Sequence, residues 1–281
     1  MSIKEAIIQL YNYGFNNIEL SSGTEYYDGL ENDLRELQVK HNLRYLCHNY
    51  FPPSREHFVL NLASLSDNIY EKSIQHLVRS IKLSSELGAE KFGFHAGFLI
   101  DISPEEMGNR LKYRNINDKI KAIERFCGAV RLLKQAAGDM ELYIENNVYS
   151  QENKNTYGKN SSPLMLINYE DYVELKKMVD FKLLLDVAHL KVSCASLGID
   201  FSEELESLIK ETDYFHLSEN DGLSDQNKAV VGNSHLLKLL AKYNLSDKTI
   251  TIEIYDDLSE VARSYNILMN VIYSSHIQTA N

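Results

Sequence analysis

Long apolar runs are missing from this chain of 281 residues. Its longest hydrophobic stretches are only a few residues, whereas a membrane-spanning helix needs about 20, so no membrane partner is expected. The N-terminus, Met1-Ser2-Ile3-Lys4-Glu5, lacks the basic and then apolar blocks of a secretion signal. Cysteine is scarce: Cys47, Cys127 and Cys194 form no CxxC pair, and an odd count argues against a disulfide framework, so a reducing, cytoplasmic setting is expected. No Lys/Arg run occurs and the net charge is -11, which argues against nucleic acid as a partner, because such binding relies on cations displacing counterions. Gly-x-Gly-x-x-Gly and P-loop spacings are absent; Phe92-Gly93-Phe94-His95-Ala96-Gly97 has neither. There is no nucleophile elbow to support a hydrolase triad. Nor does a linker rich in Pro, Gly or Ser divide the chain, so residues 1–281 read as a single domain.

What is present is an ordinary globular composition, 44% hydrophobic and 25% charged, whose apolar residues alternate between two periods. Ser2 to Tyr13 reads as a helix, with a capping box in Ser2 and Glu5 and a stop at Gly14, and the strand Asn16 to Leu20 follows. The order then repeats. Helices over Leu30 to Lys40, Asp67 to Leu87, Asn117 to Ala137, Tyr169 to Met178, Ser202 to Lys210 and His235 to Tyr243 precede strands Leu43 to His48, Lys91 to His95, Glu141 to Glu145, Phe181 to Asp186, Tyr214 to Ser218 and Thr249 to Ile254. Ser103-Pro104-Glu105-Glu106 opens a further helical region, and a last helix runs from about Ser259 to Tyr273. Regular alternation with near-continuous apolar strands predicts a parallel sheet covered by helices, a TIM-barrel-like (β/α) barrel of seven strands. The usual barrel has eight. The missing one is the first, which would lie before Ser2, and the gap it leaves suits a homodimer or a swapped segment. The two longest departures, residues 97–117 and 149–168, follow strands at one end and read as lids or binding loops.

Each strand carries a polar or ionisable residue near its C-terminal end: Glu19, His48, His95, Glu145, Asp186, His216 and Glu253. A parallel barrel gathers a site at that mouth in this way. Glu145, Asp186, His216 and Glu253, on four successive strands, make a mixed oxygen and nitrogen donor set suited to Mn²⁺, Co²⁺, Zn²⁺ or Mg²⁺. Any one acid could instead cap the helix after its strand; four in succession favour the metal. His48, His95 and His189 form a second tier for another metal or for substrate. Glu19, Tyr50 and Lys191 are candidates for substrate binding, Tyr50 by stacking on a ring and Lys191 by meeting a phosphate or carboxylate.

His95-Ala96-Gly97, Glu145-Asn146-Asn147, Asp186-Val187-Ala188-His189, Phe215-His216-Leu217 and Ile252-Glu253, in this order, resemble the xylose isomerase-like TIM-barrel superfamily. That superfamily holds sugar isomerases and epimerases as well as endonuclease IV. The resemblance implies a divalent-metal site of Glu145, Asp186, His216 and Glu253, with Glu145 and Glu253 also serving as acid and base on a sugar or sugar derivative, by proton transfer next to a carbonyl. Endonuclease IV uses further histidines matching His48, His95 and His189, with an Asp-x-His pair that here reads Asp225-Gln226-Asn227. A metal-dependent phosphodiesterase is therefore the alternative, and a non-catalytic ligand-binding barrel the third class.

Overall fold

The computed structural model describes residues 1–21 and 23–279, with side chains through residue 272. Seven strands stand in one sheet in chain order, and a helix precedes the first, giving the TIM-barrel-like α/β fold expected. Among the described residues no helix is long and apolar enough to cross a membrane. The chain divides into two compact units, the first comprising residues 1–145, 163–165 and 173–182, the second residues 146–162, 166–172 and 183–281.

In the first unit, α1 (Ile3–Asn12) begins where the Ser2 hydroxyl accepts from the Glu5 N–H and the Glu5 carboxylate accepts from the Ser2 N–H, the reciprocal box read from the sequence. Then follow β1 (Asn17–Leu20), α2 (Leu30–His41), β2 (Arg44–His48), α3 (Asp67–Glu86), β3 (Lys91–His95), α4 (Lys119–Ala137) and β4 (Glu141–Glu145). The strands pair in parallel, each with its successor, and bury their apolar middles. Buried Ser73, Ser80 and Ser84 turn their hydroxyls back onto carbonyls of α3, so their polar atoms are satisfied within the helix.

Two residues tie the segment after β2 to the segment after β3. The buried Asn61 amide donates to the carbonyls of Phe98 and Ile100 at 2.9 and 3.0 Å, and its oxygen accepts from the N–H groups of Ala63 and Phe98, both at 3.0 Å. Gly97 lies against the same turn: a Cβ there would sit 2.6 Å from the Ala63 Cβ and 3.1 Å from the Phe126 ring. No larger residue fits without moving the core.

Ser103-Pro104-Glu105-Glu106 departs from expectation. Its capping box forms, but only a single 3₁₀ turn, Pro104–Glu106, results. The chain leaves the helix because the buried Glu106 carboxylate gathers the next stretch around itself, accepting from Lys112 N–H at 2.7 Å, Arg114 at 2.9 Å and Ser103 N–H at 3.1 Å. Burial alone would raise this carboxyl, but the Arg114 guanidinium and the donors of Lys112 and Ser103 outweigh it and hold the pKa at about 2.

The second unit carries a helix where the sequence reading placed a polar loop. In α5 (Gln151–Tyr157) the Ser150 side chain caps Asn153, while the Tyr149 hydroxyl donates to the Gly158 carbonyl at 2.6 Å. α6 (Tyr169–Met178) divides between the units after Tyr172; then β5 (Lys182–Asp186) runs directly into α7 (Val187–Leu197), a helix absent from the sequence reading. It is buried on nearly every side, only Lys191 and Ala195 reaching the surface, so no polar face marks its period. Then come α8 (Phe201–Leu208), β6 (Tyr214–Leu217), α9 (His235–Leu240), β7 (Thr249–Ile252) and α10 (Leu258–Thr279), near the expected places.

Two outcomes are expected. Gly97→Ala should lower stability by about 1–3 kcal/mol in urea titration, because both neighbours it strikes are core atoms. For Glu106, the depressed native pKa means its stabilisation is present above the ordinary value of 4.5 and fades as pH falls from there toward 2. The wild type should therefore lose more melting temperature between pH 5 and pH 3 than Glu106→Gln does; equal losses would show that the carboxylate is not the clamp.

Candidate metal centre

Parallel register decides which strand-end residues share a face. In the first unit His95 lies opposite Glu145 and His48 opposite Gly93, two residues before His95, so all three side chains emerge on one side. Glu19 pairs with Leu46, two before His48, and shares that face while half-buried. His48 Nε2 stands 2.7 Å and His95 Nδ1 3.1 Å from the same oxygen, Glu145 Oε2. Glu145 has no exposed surface and His48 is 3% exposed, while His95 remains partly open. The three offer ligand atoms within 4.8 Å of one another, a donor set of the zinc type. On the other His48 nitrogen, Nδ1, lies Ser21 Oγ at 3.4 Å.

The second unit repeats the device. Asp186 pairs with His216, and His216 with Thr251, two residues before Glu253; the Glu253 N–H continues the ladder to the Leu217 carbonyl at 3.1 Å. Asp186, His216 and Glu253 thus face one way and offer ligand atoms within 4.8 Å. His216 Nδ1 is 3.0 Å from Glu253 Oε2. Two carboxylates and an imidazole fit a first-row divalent ion, since acids supply charge and the imidazole adds nitrogen preference.

Asp186 does two things at once. Oδ1 accepts from the His189 N–H at 2.7 Å and caps α7, while Oδ2 lies 3.7 Å from His189 Nε2. His189 Nδ1 donates to the Asn146 carbonyl at 2.9 Å, which fixes the tautomer and turns Nε2 toward Asp186 and toward Asp225, 3.3 Å away. Asn146 completes the frame: its amide donates to the Asp186 carbonyl at 2.9 Å and its oxygen accepts the Asp186 N–H at 2.8 Å. Asp225 in turn accepts from the Asn227 amide at 3.3 Å.

Other candidates are held elsewhere. Lys191 Nζ donates to Glu219 at 3.1 Å and to the Asn220 carbonyl at 2.6 Å. The Tyr50 hydroxyl accepts from Leu60 N–H at 2.9 Å, and burial pushes its pKa up to about 12. Sequence reasoning missed Asn146 as a brace. Its signal is an amide placed directly after a strand-end acid, where ladder bonds run out. Asn146→Ala removes both bonds to Asp186 and should cost roughly 2 kcal/mol in urea titration, since each net hydrogen bond contributes about 1.

A family described as "Xylose isomerase-like TIM barrel" matches residues 8–270. No curated protein matches the sequence. Among solved structures the chain is similar to a D-tagatose 3-epimerase-like protein, with TM-score 0.74, 18% identity, and coverage of 99% of this chain and 96% of the other. It is also similar to an L-ribulose 3-epimerase, at TM-score 0.66, 13% identity, and coverage of 99% and 91%. Endonuclease IV from Thermus thermophilus is similar at TM-score 0.58 and 15% identity, covering 96% and 94%. At such identities these structures speak for the fold.

Proposed function

Because the chain belongs to the xylose isomerase-like TIM-barrel family, we propose that it is a divalent-metal-dependent isomerase or epimerase of a sugar or sugar derivative. The observation that carries this reading is the Asp186, His216 and Glu253 set on one face of the strand ends. Asp186, His216 and Glu253 would hold Mn²⁺, Co²⁺, Zn²⁺ or Mg²⁺. The sugar class follows from the epimerases to which the fold is similar.

A divalent cation held by these residues would supply Lewis-acid polarisation of a ketose carbonyl, which would acidify the adjacent C–H. The family resemblance gives Glu145 and Glu253 the work of taking the proton from that carbon and returning it. Burial keeps water from Glu145, while Glu253 keeps 22% of its side chain exposed. His189, held in one tautomer by Asn146, keeps a ring nitrogen directed at Asp186.

Asp186→Ala should abolish tight binding of Mn²⁺ or Co²⁺ in calorimetry, because a charged donor is lost without a substitute. The Mn²⁺- or Co²⁺-loaded protein should exchange solvent deuterium into the α-carbon of a ketose from a broad panel. Glu145→Gln or Glu253→Gln should stop that exchange and leave the circular dichroism unchanged. A wild-type protein that binds none of the four metals would sink the reading.

One observation favours a second reading, phosphodiester cleavage of the endonuclease IV kind: His48, His95 and Glu145 form a donor set of their own. Clustered metals suit in-line attack on phosphate. Asn227, where an Asp-x-His pair would place its histidine, weighs against it, as does the net charge of -11. Cleavage of an abasic-site duplex that depended on His48 and His95 would put this reading first; no cleavage is expected.

A further inference from the structure

Tyr255 lies just beyond β7 with 71% of its surface exposed, among the most exposed large side chains of the described residues. It is nonetheless fixed at both ends. Its N–H donates to the Asn227 carbonyl at 2.9 Å, which locks the backbone, and its hydroxyl lies 3.0 Å from Glu253 Oε1. Both residues follow β7, and the hydroxyl contact sets the tip of the ring against the Glu253 carboxylate. An aromatic ring left in water loses burial energy; what this one keeps is a hydrogen bond to a carboxylate.

Glu253 is thereby held from two directions. His216 Nδ1 stands at 3.0 Å from Oε2 and the Tyr255 hydroxyl at 3.0 Å from Oε1. Without the hydroxyl, a partly exposed glutamate with three rotatable bonds would lose one restraint on Oε1, and binding a cation would require ordering it further. We propose that Tyr255 is a positioning residue for Glu253: its hydroxyl presets the carboxylate as a single-oxygen ligand and keeps the second oxygen away from the cation. This rests on the metal reading given above, and extends it to a residue outside the ligand set.

The test uses Co²⁺ alone, with the intact chain. Tyr255→Phe removes only the hydroxyl, and Tyr255→Ala also removes the exposed ring; both keep the backbone bond to Asn227. Each should weaken Co²⁺ binding about tenfold, at the low end of what supporting hydrogen bonds to ligands contribute. Each should also alter the visible d–d bands of bound Co²⁺, a change that a merely structural role for the ring would not produce, and the melting temperature of the metal-free protein should stay within a degree or so of wild type, as for surface changes generally. In a Glu253→Gln background, Tyr255→Phe should add no further loss of affinity. Wild-type affinity and spectrum in Tyr255→Phe would overturn the inference and leave the metal reading standing, as would a full tenfold loss persisting in the Glu253→Gln background. Absence of Co²⁺ binding by the wild type would overturn both.

Discussion

The register of the parallel ladder is the constraint on which the candidate site depends. A shift of one residue between neighbouring strands turns every side chain to the opposite face. With His95 opposite Glu145, and His48 two places out of step with His95, two imidazoles reach one carboxylate oxygen. A wholly buried carboxylate without partners costs several kcal/mol after relaxation, so register and solvation are one requirement here. The same logic places Asp186 opposite His216 and Glu253 above Thr251.

Ladder bonds run out where strands end, and buried asparagines replace them. Asn61 follows β2, Asn146 follows β4 and Asn227 follows β6, each buried and each using its amide to satisfy loop or strand-end groups. An amide suits this work because it donates and accepts within one planar group. It also carries no charge and does not titrate, so it braces Asp186 without competing with it for a cation. Glu106 is the exception: as a charged clamp it needs Arg114, and it holds a loop and no candidate ligand.

Local signals made much of this legible. Ser2 and Glu5 announced the first helix, and apolar runs ending in an acid or histidine gave all seven strands and the candidate ligands at their tips. Two helices escaped for opposite reasons. α7 has no polar face because it is enclosed, so its period is silent, whereas α5 is nearly all polar and looked like a loop until Ser150 and Tyr149 closed its ends. Pro104 marked a helix start correctly, but whether a helix continues depended on Lys112 and Arg114 reaching Glu106, which no local pattern encodes. The roles of Asn61 and Gly97 arise only when two loops meet.

A strand-end acid can cap a helix or bind a cation, and the two are commonly set against each other as explanations. In Asp186 the two oxygens are already distinct: Oδ1 takes the His189 N–H, and Oδ2 stays on the side of His189 Nε2. Glu253 divides likewise, with Oε1 toward Tyr255 and Oε2 toward His216. An acid with one oxygen committed offers the other singly. Ca²⁺ prefers six to eight oxygen donors, often from bidentate carboxylates, whereas single carboxylate oxygens beside an imidazole suit smaller first-row ions. On the metal reading proposed above, the capping bond to Oδ1 of Asp186 and a cation on Oδ2 would use different atoms and so need not compete.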